Sequence, residues 1–502
     1  MTSTNQVRYA KLLAILNKPI YGAQVKYHDD NHTLDTLAEL TIKWTTVPMF
    51  NLIKFCTNLT TLVITTMDLL DNQYAHFARL PNLINLSLCN VSHLDMLPAK
   101  LQSLSCRTSY ESIPQLNRFT LLVSLKISIT GSRYQLSSFN PVLPQLRHLE
   151  LQGYVTAIDA VLMRQLETLT FFSHDRSNYS NEPWVPVDLS IFESAINMTR
   201  LNLKLHDSTF ALDHFRHMIS LTSLQVHVWG KTYALDLAPL HHLTNLKSLQ
   251  LSNVWVISLE PLHHLQLESL GITDLETSPS SLFQNYNWDM LDPSHLMHLK
   301  LHARYDFETI QEEHDVLSKF TNLTSLDFNN LKAISSVASL TNLTSLSITG
   351  KTSNISTLEG IQHLQQLVTL VISNQPITNS ELLYLKDMSL QHLAISNSRL
   401  SSLTNIAHFT SLQVLSLDVD VGDGLIELEP LIHLHDLTLY KSDSYRYPHY
   451  TNLDNIKATQ IPCAIMATLR KLTNLDQFQI NRKVRGKYMR LLYKKAKAQL
   501  DH

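Results

Sequence analysis

The chain has 502 residues, 44% of them apolar and 17% charged, a composition that excludes a disordered polymer. A formal net charge of -3 supplies no whole-molecule field for nucleic acid or a membrane surface, so neither is expected as a partner. Four cysteines (Cys56, Cys89, Cys106 and Cys463) make no C-x-x-C pair; they read as reduced thiols of an intracellular, cytoplasmic protein.

In chain order, residues 1–34 read as an N-terminal helical cap. Asn5 can cap a helix through Val7, Leu12, Leu13, Ile15 and Leu16, and Pro19 can stop it. Arg8 and Lys11 interrupt the short apolar stretch, which makes a poor signal peptide. His28 and His32 flank Asp29, Asp30 and Asn31 but lack the glutamate of H-E-x-x-H, so no metal is expected there. No apolar run approaches the ~20 residues of a membrane-crossing helix.

From residue 35 to 480 one frame recurs, L-x-x-L-x-L. Its plainest copy is Leu343, Leu346 and Ile348, and the preceding copy is Leu323, Leu326 and Phe328. The first apolar position falls at Leu37, Leu59, Leu83, Leu101, Leu122, Leu146, Leu166, Met198, Leu221, Leu246, Leu267, Leu296, Leu323, Leu343, Leu367, Leu390, Leu412 and Leu434, with a weaker copy at Leu475, Phe478 and Ile480. That is about nineteen units with a mean spacing of about 24 residues, the period of a solenoid.

Frame positions four and six alternate with polar neighbours, as in a short strand with one buried face. The chain must then return to begin the next strand. Runs such as Pro239-Leu-His-His-Leu243, Pro261-Leu-His-His-Leu265 and Pro430-Leu-Ile-His-Leu434 suggest short 3-10 or helical turns for that return. Strands ~4.8 Å apart predict a parallel sheet roughly 90 Å along its curve. Three units are over-long: 173–196 with Trp184, 273–295 with Trp288, and the tyrosine-rich 441–471. Residues 481–502 carry eight Lys and Arg from Arg482 to Lys497, with Val484, Tyr488, Leu491 and Leu492 placed for a basic C-terminal capping helix.

These phrases make the chain resemble a leucine-rich repeat protein over about nine-tenths of its length, similar to the internalin and phosphatase-regulator types of repeat. The resemblance implies an α/β leucine-rich repeat solenoid: a curved horseshoe or arc with a concave parallel β-sheet and convex 3-10 or short-helix turns. It also implies protein binding. The chain departs from that pattern at frame position nine, where asparagine is expected and Val91, Trp229, Val254, Lys351 and Gln375 stand. Asparagine comes one place earlier, at Asn90, Asn253, Asn330, Asn374 and Asn397.

No phosphate-binding loop, nucleophile elbow or nucleophile–base pair is present, so neither enzyme activity nor a cofactor is expected. The expected function is a non-catalytic protein-binding scaffold or adaptor working through the concave face, monomeric before its partner binds. The alternatives are a substrate-recognition subunit of a ubiquitin ligase, or a regulatory subunit of a phosphatase or GTPase. Positions three, five and seven of the frame should project from the concave face. Most are Ser, Thr or Asn, but Phe172, Arg200, Lys204 and His227 break that pattern, with Trp229 just beyond the strand and Trp184 in the nearby long unit. Further on, His298, Lys300 and His302 repeat the basic character. Aromatic and arginine residues dominate interfaces, so these nine residues form the expected partner site, with Phe172 and Trp229 anchoring an acidic protein and Arg200 and Lys204 steering it.

Overall fold

In this computed structural model the frame becomes strand after strand. The structure describes residues 24–27, 37–42, 53, 55–65, 74–130, 137–153, 155–173, 187, 189–205, 210–228, 234–273, 288, 291–302, 310–329, 331–350, 355–419, 427–440 and 477–480. They fall into two compact units, Met1–Ile257 and Ser258–His502.

In the first unit the strands are β1 (Gln24–Tyr27), β2 (Leu37–Ile42), β3 (Thr61–Ile64), β4 (Asn85–Asn90), β5 (Ser103–Ser109), β6 (Ser124–Thr130), β7 (Ser137–Phe139), β8 (His148–Gly153), β9 (Val155–Ile158), β10 (Thr168–Ser173), β11 (Arg200–Leu205), β12 (Ser223–Val228), β13 (Ala234–Leu235), β14 (Ser248–Ser252) and β15 (Trp255–Val256). The main sheet runs β2-β3-β4-β5-β6-β8-β10-β11-β12-β14, parallel throughout. The pairs β7–β9 and β13–β15 add short parallel ladders beyond the main strands. β1 pairs antiparallel with β2. That strand covers the N-terminal edge of the sheet, which would otherwise offer unpaired backbone groups. The helix expected between Asn5 and Pro19 lies outside the described residues.

In the second unit the strands are β16 (Ser269–Thr273), β17 (His298–His302), β18 (Ser325–Asn329), β19 (Ser345–Thr349), β20 (Thr369–Ser373), β21 (His392–Ser396), β22 (Val414–Asp418), β23 (Asp436–Tyr440) and β24 (Gln477–Ile480). They pair in chain order, all parallel. The third long unit, 441–471, and the basic tail lie outside the described residues.

The register keeps like positions together. Leu326 sits opposite Leu346 and Phe328 opposite Ile348, so each apolar pair stacks on its equivalent in the next repeat. Leu323, Leu326, Leu343, Leu346 and Ile348 are fully buried. Most of the described returns are 3-10 turns, such as Ala238–His242 and Glu260–Leu262 at the two Pro-Leu-His-His runs, where all four histidines are exposed. Asp159 caps the short α-helix Ala160–Gln165 by accepting from the N–H groups of Val161 and Leu162. Trp288, in the second long unit, is only 6% exposed and belongs to the core.

The phrase T-N-L-T has its own structural role. In several repeats an asparagine stands before the first apolar residue of the frame and donates through Nδ2 to a backbone carbonyl of the preceding repeat. Asn197 reaches Arg164, Asn245 reaches Ile219, Asn322 reaches Ser294 and Asn342 reaches Thr321, all at 2.7–2.9 Å. The threonine after that apolar residue does the same through its hydroxyl: Thr199 to Glu167, Thr222 to Thr199, Thr324 to Met297 and Thr344 to Thr324. These side-chain bonds therefore tie neighbouring units at the start of several strands.

At position eight the chain turns left-handed as it leaves the strand. Asn253, Asn374 and Asn397 have φ of 60, 60 and 49°, and Gly153 has φ 148°. Asparagine tolerates this region better than other non-glycine residues. Position nine points into the core instead, so Val91 and Val254 are buried there. Gln375, fully buried at the same position, accepts from the Ile355 N–H at 2.9 Å.

Candidate functional site

One face of each sheet packs on the returns; the other, carrying positions three, five and seven, is open. In the first unit the open face is a grid whose rows are set by register. One row reads Arg107, Ser128, Gln152, Phe172, Lys204 and His227 across β5, β6, β8, β10, β11 and β12. Phe172 and Lys204 are half-buried neighbours, with the ammonium 4.6 Å from the ring centre. This cation–π contact holds the lysine stem against the ring. His227 Nε2 lies 3.2 Å from Asn253 Nδ2. Arg200 is exposed on the same face of β11, between Thr168 and Ser223. Asn202, between Arg200 and Lys204 on that face, has a buried Oδ1 without a hydrogen-bond partner.

Phe172, Arg200, Lys204 and His227 therefore share the open face of three neighbouring strands. Trp184 and Trp229 lie outside the described residues. Arg107 and Lys126 also stand on the open face, both exposed. Their frame positions, seven and five, were the available signal, but isolated cations several strands away do not announce a shared surface. Lys126 is paired with Glu150 at 2.8 Å, opposite it in register.

The second unit carries the other three residues of the expected partner site. His298, Lys300 and His302 do share a strand face, but Asp327 on the next strand takes up two of them. Lys300 Nζ lies 2.8 Å from Asp327 Oδ2, and His302 Nε2 lies 2.7 Å from Oδ1. Burial pushes the Asp327 carboxyl up, but hydrogen bonds from His302 and Lys300 and their charges outweigh it, holding it at about 2. Lys300 and His302 form a locally compensated cluster with Asp327, and His298 stands outside it, exposed on the strand.

Among the described residues, no group of three or more His, Cys, Asp or Glu side chains is arranged to hold a metal ion. Cys56, Cys89 and Cys106 are thiols; burial pushes Cys106 up to about 12, so it stays protonated and unreactive. No helix among the described residues is long and apolar enough to cross a membrane.

No protein-family model matches the chain, and no curated protein matches it. Solved structures do. An internalin (inlF) of Listeria monocytogenes is 17% identical, with 82% of this chain and 94% of that one covered and a TM-score of 0.35. A leucine-rich repeat protein of Leptospira interrogans is 18% identical, covering 82% and 86%, with a TM-score of 0.32. The functional domain of the Listeria internalin InlJ is 18% identical, covering 82% and 75%, with a TM-score of 0.35. The recurring frame, the parallel strands it forms in each unit and the 3-10 returns between them are the leucine-rich repeat fold.

Proposed function

We propose that the chain is a non-catalytic protein-binding scaffold whose partner lies on the open face of the sheet in the first unit. The observation that carries this reading is the Phe172–Lys204 pair. It is a half-exposed aromatic ring with a cation against it, set in a face otherwise built largely of hydroxyl and amide side chains. Aromatic surface held rigidly at modest entropic cost is what interface hot spots are made of. The thiols at Cys56, Cys89 and Cys106 favour a reducing, intracellular setting.

Photo-cross-linking of the full chain tests the reading. A photoreactive residue at Gln225, exposed on the open face, should capture a protein partner. The same group at His242, exposed in a return, should not. Capture from His242 alone, or from neither position, would reject the scaffold reading.

A further inference from the structure

We propose that the open face of the first unit binds an extended, carboxylate-rich polypeptide segment running across strands β5 to β11. The proposal rests on the scaffold reading above and names the chemistry of its partner. Between β5 and β11 the face presents Arg107, Lys126, Arg200 and Lys204 against one carboxylate, Glu150. That carboxylate is already taken by Lys126 at 2.8 Å. Among the described residues, none pairs a carboxylate with Arg107, Arg200 or Lys204. The excess positive charge is local, because the whole chain carries -3.

The geometry also gives a direction. Arg107 and Lys204 occupy the same row, linked in register through Ser128, Gln152 and Phe172. Four strand steps separate them, about 19 Å at ~4.8 Å per strand. An extended segment of about six residues spans that distance. Arg200 lies on the same strand face as Lys204, four residues toward the strand start, roughly 13 Å away. The three unpaired cations thus mark the corners of a surface the width of one extended chain and its side chains. The Phe172 ring, beside Lys204, offers apolar area to a side chain between the carboxylates.

Charge density separates this occupant from nucleic acid. A duplex carries one negative charge per ~1.7 Å of its axis and is met by dense clusters of Lys and Arg. Here the unpaired cations are farther apart, with neutral hydroxyl and amide groups between them. Such spacing suits carboxylates dispersed along a polypeptide, whose backbone amides those groups can hydrogen-bond. In the second unit the cations Lys300 and His302 are instead taken up by Asp327.

The test uses the purified full chain and a fluorescein-labelled polyglutamate peptide, followed by fluorescence anisotropy at low salt. Polyglutamate should bind, polylysine should not, and added salt should weaken binding. The double variant Arg107→Glu/Lys204→Glu should weaken it by roughly tenfold or more. Arg107→Gln/Lys204→Gln should fall between that variant and the parent, and Lys386→Glu, on an exposed return of the second unit, should change nothing. Matching melting temperatures confirm that all variants fold. The proposal is overturned by no polyglutamate binding, by equal binding of the charge-reversed chain, or by tighter binding of a single-stranded oligonucleotide than of polyglutamate. If Gln225 still captures a protein while polyglutamate does not bind, the scaffold reading stands and the acidic-segment reading fails.

Discussion

His302 Nε2 and Asp327 Oδ1 stand 2.7 Å apart on adjacent strands, and Lys300 shares the same carboxylate through its other oxygen. The arrangement converts what reads in the sequence as a basic stripe into a neutralised cluster. It also makes a pH-dependent contribution to stability. The carboxyl is depressed from 3.8 to about 2 in the folded chain. A depressed carboxylate contributes above its unfolded value and loses that contribution as pH falls toward the folded one. Asp327→Asn should therefore lower the urea midpoint at about pH 5 and lower it much less at about pH 2.5. An equal penalty at both values would show that the pairing does not stabilise the fold.

Leu326 is fully buried opposite Leu346, whereas Ser325, the preceding residue, is partly exposed on the open face. Leu326→Asp buries a carboxylate without a partner and should cost several kcal/mol. Ser325→Asp should stay within roughly 0.5 kcal/mol. Comparable losses in chemical denaturation would mean that the two faces of β18 are not distinguished as described.

Gly153 leaves β8 with φ 148°, and a Cβ there would meet the Ile129 carbonyl oxygen at 2.9 Å. Both the conformation and the space oppose a side chain. Gly153→Ala should destabilise by about 1–3 kcal/mol, read as a lower melting temperature. An unchanged melting temperature would show that the backbone relaxes there without strain.

Asn342 donates to the Thr321 carbonyl and Asn245 to the Ile219 carbonyl, each linking a repeat to the one before. Net stabilisation by such a bond is about 0.5–1.5 kcal/mol. Asn342→Ala should cost that much, and Asn245→Ala a similar amount. Because the two sites share no partner, the double variant should lose close to the sum in a denaturant titration. Neither variant should alter binding to the open face, since both asparagines precede their strands.

Much of the architecture was legible because the frame repeats. Leucines recurring with one phase can only be buried together by stacking, and the buried run from Leu37 to Leu434 follows from that. The asparagines at 253, 374 and 397 were visible as a departure from the expected pattern. Their reason, a left-handed backbone, appears only when the dihedral angles are known. The side-chain ties at T-N-L-T were likewise visible as words and not as bonds.

What the sequence by itself determined is the period, the strand frame and which side of each strand is apolar, because these depend on residues a few places apart. Only the tertiary structure decided which polar side chains meet. Lys126 and Glu150, or Lys300 and Asp327, are more than twenty residues apart in the chain. Strand register makes each pair adjacent, and loops of unequal length separate the strands that carry them. Charge on the open face is therefore a property of rows across the sheet. Lys300 is compensated and Lys204 is not, for the physical reason that a carboxylate stands on the neighbouring strand in one case and a phenyl ring in the other.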